Sequence, residues 1–297
     1  MASFDPTGTG VALVTPFQNG KVDYDALTRM IEYVIHGRVE YIVSLGTTGE
    51  ATSLSDEEQT QVQQHTINVA RGRVPIVAGQ FGGNNTAQLC EKLNMFDPTG
   101  VSAILSSSPA YVKPSQEGIY HHYMEIVEAS PLPMIIYNVP SRTASNITAS
   151  TLVRLANASE KFIGVKDATG DLVQGSSIAK QAPKRFRLIS GDDPTALALL
   201  TVGGTGVISV IANVFPTAFS QMIRLERMDN RDDALKIHLQ LLDIHQWLYV
   251  EGNPVGIKEA LAFRKLIEGD LRLPLVRMSE GNRDKLIAEM EKLKEIH

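Results

Sequence analysis

Short apolar runs rich in β-branched residues recur along the chain, and between them lie longer stretches whose apolar positions follow helical spacing. The runs fall at residues 11–17, 41–45, 75–78, 102–105, 133–137, 162–166, 186–189 and 206–210, which predicts eight strands. Residues 24–36, 56–70, 86–96, 117–129, 148–156 and 172–181 predict helices, several of them opened by an acidic or hydroxyl residue. Continuous apolar strands joined by helical crossovers imply a parallel sheet buried on both faces. Eight such units close naturally into an α/β fold, the (β/α)8 TIM barrel, with a doubly wound open sheet as the alternative. Beyond the eighth strand, residues 215–297 read almost wholly as helix, broken near Asp229-Asn230, Gly252-Asn253-Pro254 and Leu273-Pro274. No linker of altered composition precedes this tail, so residues 1–224 are assigned to the barrel and 225–297 to a C-terminal helical subdomain.

One polar residue breaks the apolar pattern where it matters. Lys166 sits in Phe162-Ile163-Gly164-Val165-Lys166-Asp167-Ala168-Thr169-Gly170, a strand-like run ending in a loop cluster. A charged amine there is costly, and desolvation lowers a lysine's pKa toward neutrality, which is what an amine needs to attack a ketone and form a Schiff base. The plainer alternative is a lysine paired with an acid at a strand end. Asp167 is a poor candidate for that partner, because successive strand residues point to opposite faces.

In a parallel barrel the active site forms at the carboxyl ends of the strands. The second strand ends in Gly46-Thr47-Thr48-Gly49-Glu50, glycines bracketing hydroxyls that can turn toward an anion, and Ser55 with Glu58 looks like a capping box. The fourth is followed by a proline-bounded loop carrying Tyr111. The fifth ends in Tyr137-Asn138-Val139-Pro140-Ser141-Arg142-Thr143. A tyrosine at the mouth can pass a proton to or from a reacting oxygen, and Arg142 can hold a carboxylate through two parallel hydrogen bonds. The seventh supplies Ser190-Gly191-Asp192-Asp193 and the eighth Ile208-Ser209. Asp193-Pro194-Thr195 reads as a helix start ahead of a metal site. Gly203-Gly204-Thr205-Gly206 precedes a strand, outside the dinucleotide-binding context, and the seven histidines show no zinc spacing.

Composition narrows the setting. At 297 residues the chain has room for two average domains or one barrel, and its 43% hydrophobic and 21% charged residues are ordinary for a globular protein. A formal charge of -5 argues against nucleic acid or an anionic membrane as partner. There is no signal-like N-terminus and no apolar run of spanning length, so the expected location is the cytoplasm. Cys90, the single cysteine, reads as a buried small apolar residue.

With Gly46-Thr47-Thr48-Gly49-Glu50, Tyr137-Asn138-Val139-Pro140 and Gly164-Val165-Lys166-Asp167-Ala168-Thr169-Gly170 in this order, the chain resembles, end to end, a family of pyruvate-dependent class I aldolases. That family includes the dihydrodipicolinate synthases and N-acetylneuraminate lyases. The resemblance implies that Lys166 forms the imine with pyruvate, without metal or organic cofactor. It implies that Tyr137 relays protons with Thr48 and with Tyr111, the latter reaching across from a neighbouring subunit, and it adds Thr47 to the catalytic set. Thr48 and the backbone at Ile208 would hold the pyruvate, and Gly191 would line the pocket. Arg142, which sialic acid lyases lack, looks like the carboxylate receptor of the branch that condenses pyruvate with aspartate semialdehyde on the way to diaminopimelate and lysine. Two other readings stand beside this one: an aldolase or lyase of 2-keto-3-deoxy sugar acids, and a barrel that only binds a keto acid. The family's usual assembly implies a homotetramer, a dimer of dimers.

Two departures from the family pattern carry expectations. Ala144 stands where most members have glycine, and a Cβ is strained wherever φ is positive, so the Arg142 loop is expected to be shaped differently. Lysine-inhibited members bind lysine between subunits, yet the matching positions here are Asp56, Gln59, Gln88 and Ala110, with only Asn84 retained. Feedback by lysine is expected to be weak or absent.

Overall fold

The computed structural model describes residues 4–296. The apolar runs become eight strands: β1 (Gly8–Ala12), β2 (Tyr41–Ser44), β3 (Ile76–Ala78), β4 (Ala103–Ser107), β5 (Met134–Asn138), β6 (Phe162–Asp167), β7 (Arg187–Ser190) and β8 (Gly206–Ser209). Their order in the sheet is β1-β8-β7-β6-β5-β4-β3-β2, closed into a barrel. Closure excludes the open-sheet alternative. The strands are short and buried on both faces, which explains why they read as continuous apolar runs rather than alternating ones.

The chain divides into two compact units. One takes Pro75–Ile208 together with the N-terminal stretch ending at Thr7, and the other takes Gly8–Val74 and Ser209 onward. In the first, β5 and β6 are in register at Tyr137↔Lys166 and Asn138↔Asp167, and β6 and β7 at Lys166↔Ile189 and Asp167↔Ser190. Tyr123 is fully buried and donates to the Ser106 carbonyl, so its hydroxyl is satisfied inside the apolar core. In the second, β1 pairs with β2 through Val11↔Ile42, and Asn213 bridges the end of β1 by donating to the Ala12 carbonyl and accepting from the Val14 N–H.

The helices begin where their caps dictate. Asp23 accepts from the Ala26 N–H and starts Tyr24–His36. Ser55 and Glu58 form the expected capping box at the head of Asp56–Ala70. Loss of such a cap costs about 1 kcal/mol. Asp171 caps Leu172–Gln181 with bonds from Val173 and Gln174.

Three expectations shift. The first strand was placed at 11–17 from its apolar side chains, but the ladder runs through Gly8-Thr9-Gly10, which carry no apolar signal, while Phe17–Gln18 joins Lys21–Val22 in a separate antiparallel hairpin. The tail is helical at Pro216–Arg227, Arg231–Gln240, Ile244–Tyr249, Val255–Phe263 and Glu280–Lys292, yet residues 264–279 are irregular. Long-range bonds hold that stretch instead. Lys258 donates to the Asp270 carbonyl, and Arg272 grips Glu58 through both terminal guanidinium nitrogens and donates to the carbonyls of Gly20 and Ser53. Cys90 is half-buried rather than buried, and burial pushes its thiol up.

Candidate active site

In the first unit the strand ladder itself brings Lys166 and Tyr137 together. Because Lys166 and Tyr137 are register partners on adjacent strands, their side chains leave the same face, and Lys166 Nζ stands 4.4 Å from the centre of the Tyr137 ring. Both are buried, at 5% and 8% exposure. Among the described residues no carboxylate lies within ion-pairing reach of Lys166. Asp167 is engaged elsewhere: Asn138 Nδ2 donates to its Oδ1 at 2.9 Å and Thr169 Oγ1 to its Oδ2 at 2.8 Å. Burial raises the Asp167 carboxyl above the usual carboxylate range, with those two hydrogen bonds pulling it back. The alternation of strand faces therefore separates Lys166 from the acid next to it, as the sequence implied.

Room beside the amine comes from a missing side chain. A Cβ built on Gly191 would lie 2.8 Å from Ala168 Cβ, 3.0 Å from Lys166 Cγ and 3.1 Å from Lys166 Cε, so a larger residue at 191 would displace the lysine. Ile208 is buried in β8, next to Val207, which registers with Ser190 on β7.

The outer loops of this unit are linked. Arg142 is exposed on the helical turn Pro140–Thr143, which ends at Ala144 in the left-handed region, φ +57°. A Cβ therefore sits on a left-handed backbone at Ala144, which costs about 1–2 kcal/mol. The Tyr111 N–H donates to the Thr143 carbonyl at 3.1 Å, tying the Tyr111 loop to the Arg142 turn. Tyr111 is itself left-handed, φ +71°, and its side chain is 88% exposed. The single chain does not bury Tyr111 in its own site. A cleft of about 300 Å³ opens beside the Arg142 turn, lined by Ser141, Asn146, Ala168, Thr169, Asp171 and Gln174.

In the second unit the Gly46 to Glu50 segment forms a tight turn, with Gly49 N–H donating to Gly46 and Glu50 N–H to Thr47. Thr15 Oγ1 donates to the Gly49 carbonyl. Thr47 is exposed, whereas Thr48 is buried and its Oγ1 accepts from Asn253 Nδ2 at 2.9 Å. Glu50, left-handed at φ +51°, forms a fully buried ion pair with Lys258, whose Nζ also lies 4.1 Å from the Phe17 ring centre. Burial pushes Lys258 down to about 8, while Glu50 pulls it back up.

Asn253 and Lys258 were not singled out from sequence. Gly252-Asn253-Pro254 reads only as a helix break, but Lys258 within Val255-Gly256-Ile257-Lys258-Glu259-Ala260-Leu261 carries the same signal as Lys166, an amine in an apolar run. Among the described residues no group of three or more His, Cys, Asp or Glu side chains is placed to hold a metal ion. No helix among them is long and apolar enough to cross a membrane.

Comparison with known proteins agrees with this geometry. The profile of the dihydrodipicolinate synthetase family matches residues 5–293. A 4-hydroxy-tetrahydrodipicolinate synthase of Flavobacterium psychrophilum is 46% identical over 280 residues, 94% of this chain and 95% of that one. One of Nitratidesulfovibrio vulgaris is 40% identical over 280 residues, 94% and 96% of the two chains. The solved structure of the enzyme of that name from Methylacidiphilum fumariolicum superposes with a TM-score of 0.94 at 37% identity, covering 97% of this chain and 96% of that one. A profile match across nearly the whole length, on a closed eight-stranded barrel that buries a lysine against a tyrosine, means that this chain belongs to the dihydrodipicolinate synthetase family.

Proposed function

We propose that this chain condenses pyruvate with L-aspartate 4-semialdehyde to 4-hydroxy-tetrahydrodipicolinate, a lyase of the class I aldolase type serving diaminopimelate and lysine biosynthesis. The observation that carries the reading is Lys166: a buried amine against a tyrosine ring, with no acid held to it among the described residues. Such an amine is a nucleophile held in reserve, because no salt bridge has to be broken before it attacks.

The chemistry follows in order. Lys166 Nζ adds to the pyruvate ketone and water leaves, giving a protonated imine. Loss of a methyl proton turns the imine into an enamine, the positive nitrogen accepting the electron pair, so the reaction as proposed draws on no metal or organic cofactor. The enamine carbon bonds to the aldehyde carbon, and the new alkoxide takes a proton through Tyr137. General acid-base assistance of this kind contributes about 100- to 10,000-fold. The semialdehyde's own amine then attacks the imine carbon, closing the ring and expelling Lys166.

Thr47 and Thr48 after β2 are assigned to the same reaction as Lys166 and Tyr137 on the family's motif pattern. Thr48 and the Ile208 backbone hold the pyruvate carboxylate, Gly191 gives the lysine room, and Arg142 receives the semialdehyde carboxylate. Tyr111, exposed in the single chain, is proposed to complete the relay of a neighbouring copy, in a homotetramer built from two dimers. Lysine feedback is proposed to be weak or absent, with Asn84 Oδ1 already accepting from the Ala110 N–H.

Incubation with pyruvate and borohydride followed by intact mass tests the imine: a stable adduct is expected on the wild type and none on Lys166→Ala. A coupled assay with aspartate semialdehyde, run beside one offering a 2-keto-3-deoxy sugar acid, tests the second substrate. Turnover of the sugar acid alone would overturn the assignment.

A further inference from the structure

The segment Asn253 to Lys258 touches the threonine turn at two points. Asn253 Nδ2 donates to Thr48 Oγ1, and Lys258 pairs with Glu50 two residues farther along. Both contacts are buried: Thr48 is 2% exposed, Asn253 9% and Lys258 0%. One contact would leave the turn free to pivot, but two on the same short segment fix its orientation. The segment is itself braced. Lys258 Nζ donates to the Asp270 carbonyl at 2.9 Å, and the helix Val255–Phe263 packs so tightly at its start that a Cβ on Gly256 would lie 2.4 Å from the Leu248 carbonyl oxygen. Glu50 keeps its left-handed backbone within this frame, as strained positions do where surrounding contacts over-determine them.

A threonine hydroxyl has one proton and two acceptor lone pairs. When an amide N–H occupies a lone pair, the proton must be given to something else. We propose that Asn253 is a positioning residue, whose side-chain amide fills an acceptor position on Thr48 Oγ1 and so commits that hydroxyl to donate to the carboxylate of the keto acid. The inference rests on Thr48 holding the pyruvate. A side chain that could only accept at position 253 would take the Thr48 proton for itself and turn a lone pair toward the substrate's negative charge.

The test is borohydride trapping titrated against pyruvate, with folding followed by thermal unfolding, on wild type, Asn253→Ala, Asn253→Asp, Thr48→Val and the double variant Asn253→Ala/Thr48→Val. Asn253→Ala is expected to raise half-saturating pyruvate about tenfold, the scale of one hydrogen bond, while saturating pyruvate still traps fully. Asn253→Asp, of equal size but acceptor-only, is expected to raise it further, about a hundredfold, the scale of a bond to a charged group. In the Thr48→Val background Asn253→Ala should have no additional effect, an outcome that general loosening of the fold would not give. Half-saturation within twofold of wild type in either folded variant overturns the proposal, as does an undiminished loss in the Thr48→Val background. If Asn253→Ala does not fold, Asn253→Asp decides, and failure of both to fold overturns the proposal by making the residue structural. A wild type that traps no pyruvate instead defeats the functional reading itself.

Discussion

Among the described residues two lysines are buried, Lys166 and Lys258, and they meet opposite fates. Lys166 lies 4.4 Å from the centre of the Tyr137 ring with no carboxylate in reach among the described residues, whereas Lys258 is locked to Glu50, bonded to the Asp270 carbonyl and roofed by Phe17. In sequence both are single amines inside apolar runs. Burial alone therefore does not mark a catalytic amine. What separates them is whether the fold supplies an anion: with one, the amine becomes a structural strut; without one, it is left for the role proposed for Lys166.

The contrast breaks first under chemical modification. Peptide mapping of the pyruvate–borohydride adduct should place all of it on Lys166 and none on Lys258, and Lys166→Ala should abolish it; label on Lys258 would erase the distinction. Stability sharpens it next. Lys258→Met leaves the Glu50 charge buried and unpaired, an expected loss of about 3–5 kcal/mol in urea unfolding. The double variant Lys258→Met/Glu50→Gln, which removes both charges, should recover most of that, and failure to recover would show that the pair matters for more than charge balance.

The smallest effect concerns the neighbouring ion pair. Arg272 hydrogen-bonds the Glu58 carboxylate on both oxygens and holds it down to about 2. A carboxylate depressed in the fold adds stability that is present above its unfolded value, near 4.5, and lost as pH falls toward 2. Unfolding midpoints measured across that window should fall less steeply for Glu58→Gln than for wild type. Equal slopes would mean that this half-buried pair, unlike the fully buried Lys258 pair, contributes nothing measurable.

What could be read from the sequence depended on how local the signal was. The β5 and β6 runs, their helices and the Ser55–Glu58 cap were legible because side-chain pattern and cap chemistry lie within a few residues. The first strand was misplaced because Gly8-Thr9-Gly10 enters the ladder through its backbone alone. Lys166 and Tyr137 stood out as polar groups at strand ends, and their register partnership follows from that placement. Asn253 did not stand out, since its partner Thr48 is 205 residues away and nothing near it announces the pairing. The irregular stretch at 264–279 escaped for the same reason: distant carboxylates and carbonyls, not local propensity, hold it.

The lysine and tyrosine face each other across one rung of the β5–β6 ladder. Their spacing is inherited from main-chain pairing rather than from any loop, so changes confined to the surrounding loops leave it in place. A one-residue insertion that shifts the register of either strand is expected to have the reverse effect, turning one of the two to the opposite face. For anyone redesigning this scaffold, those eleven positions are the ones to leave untouched.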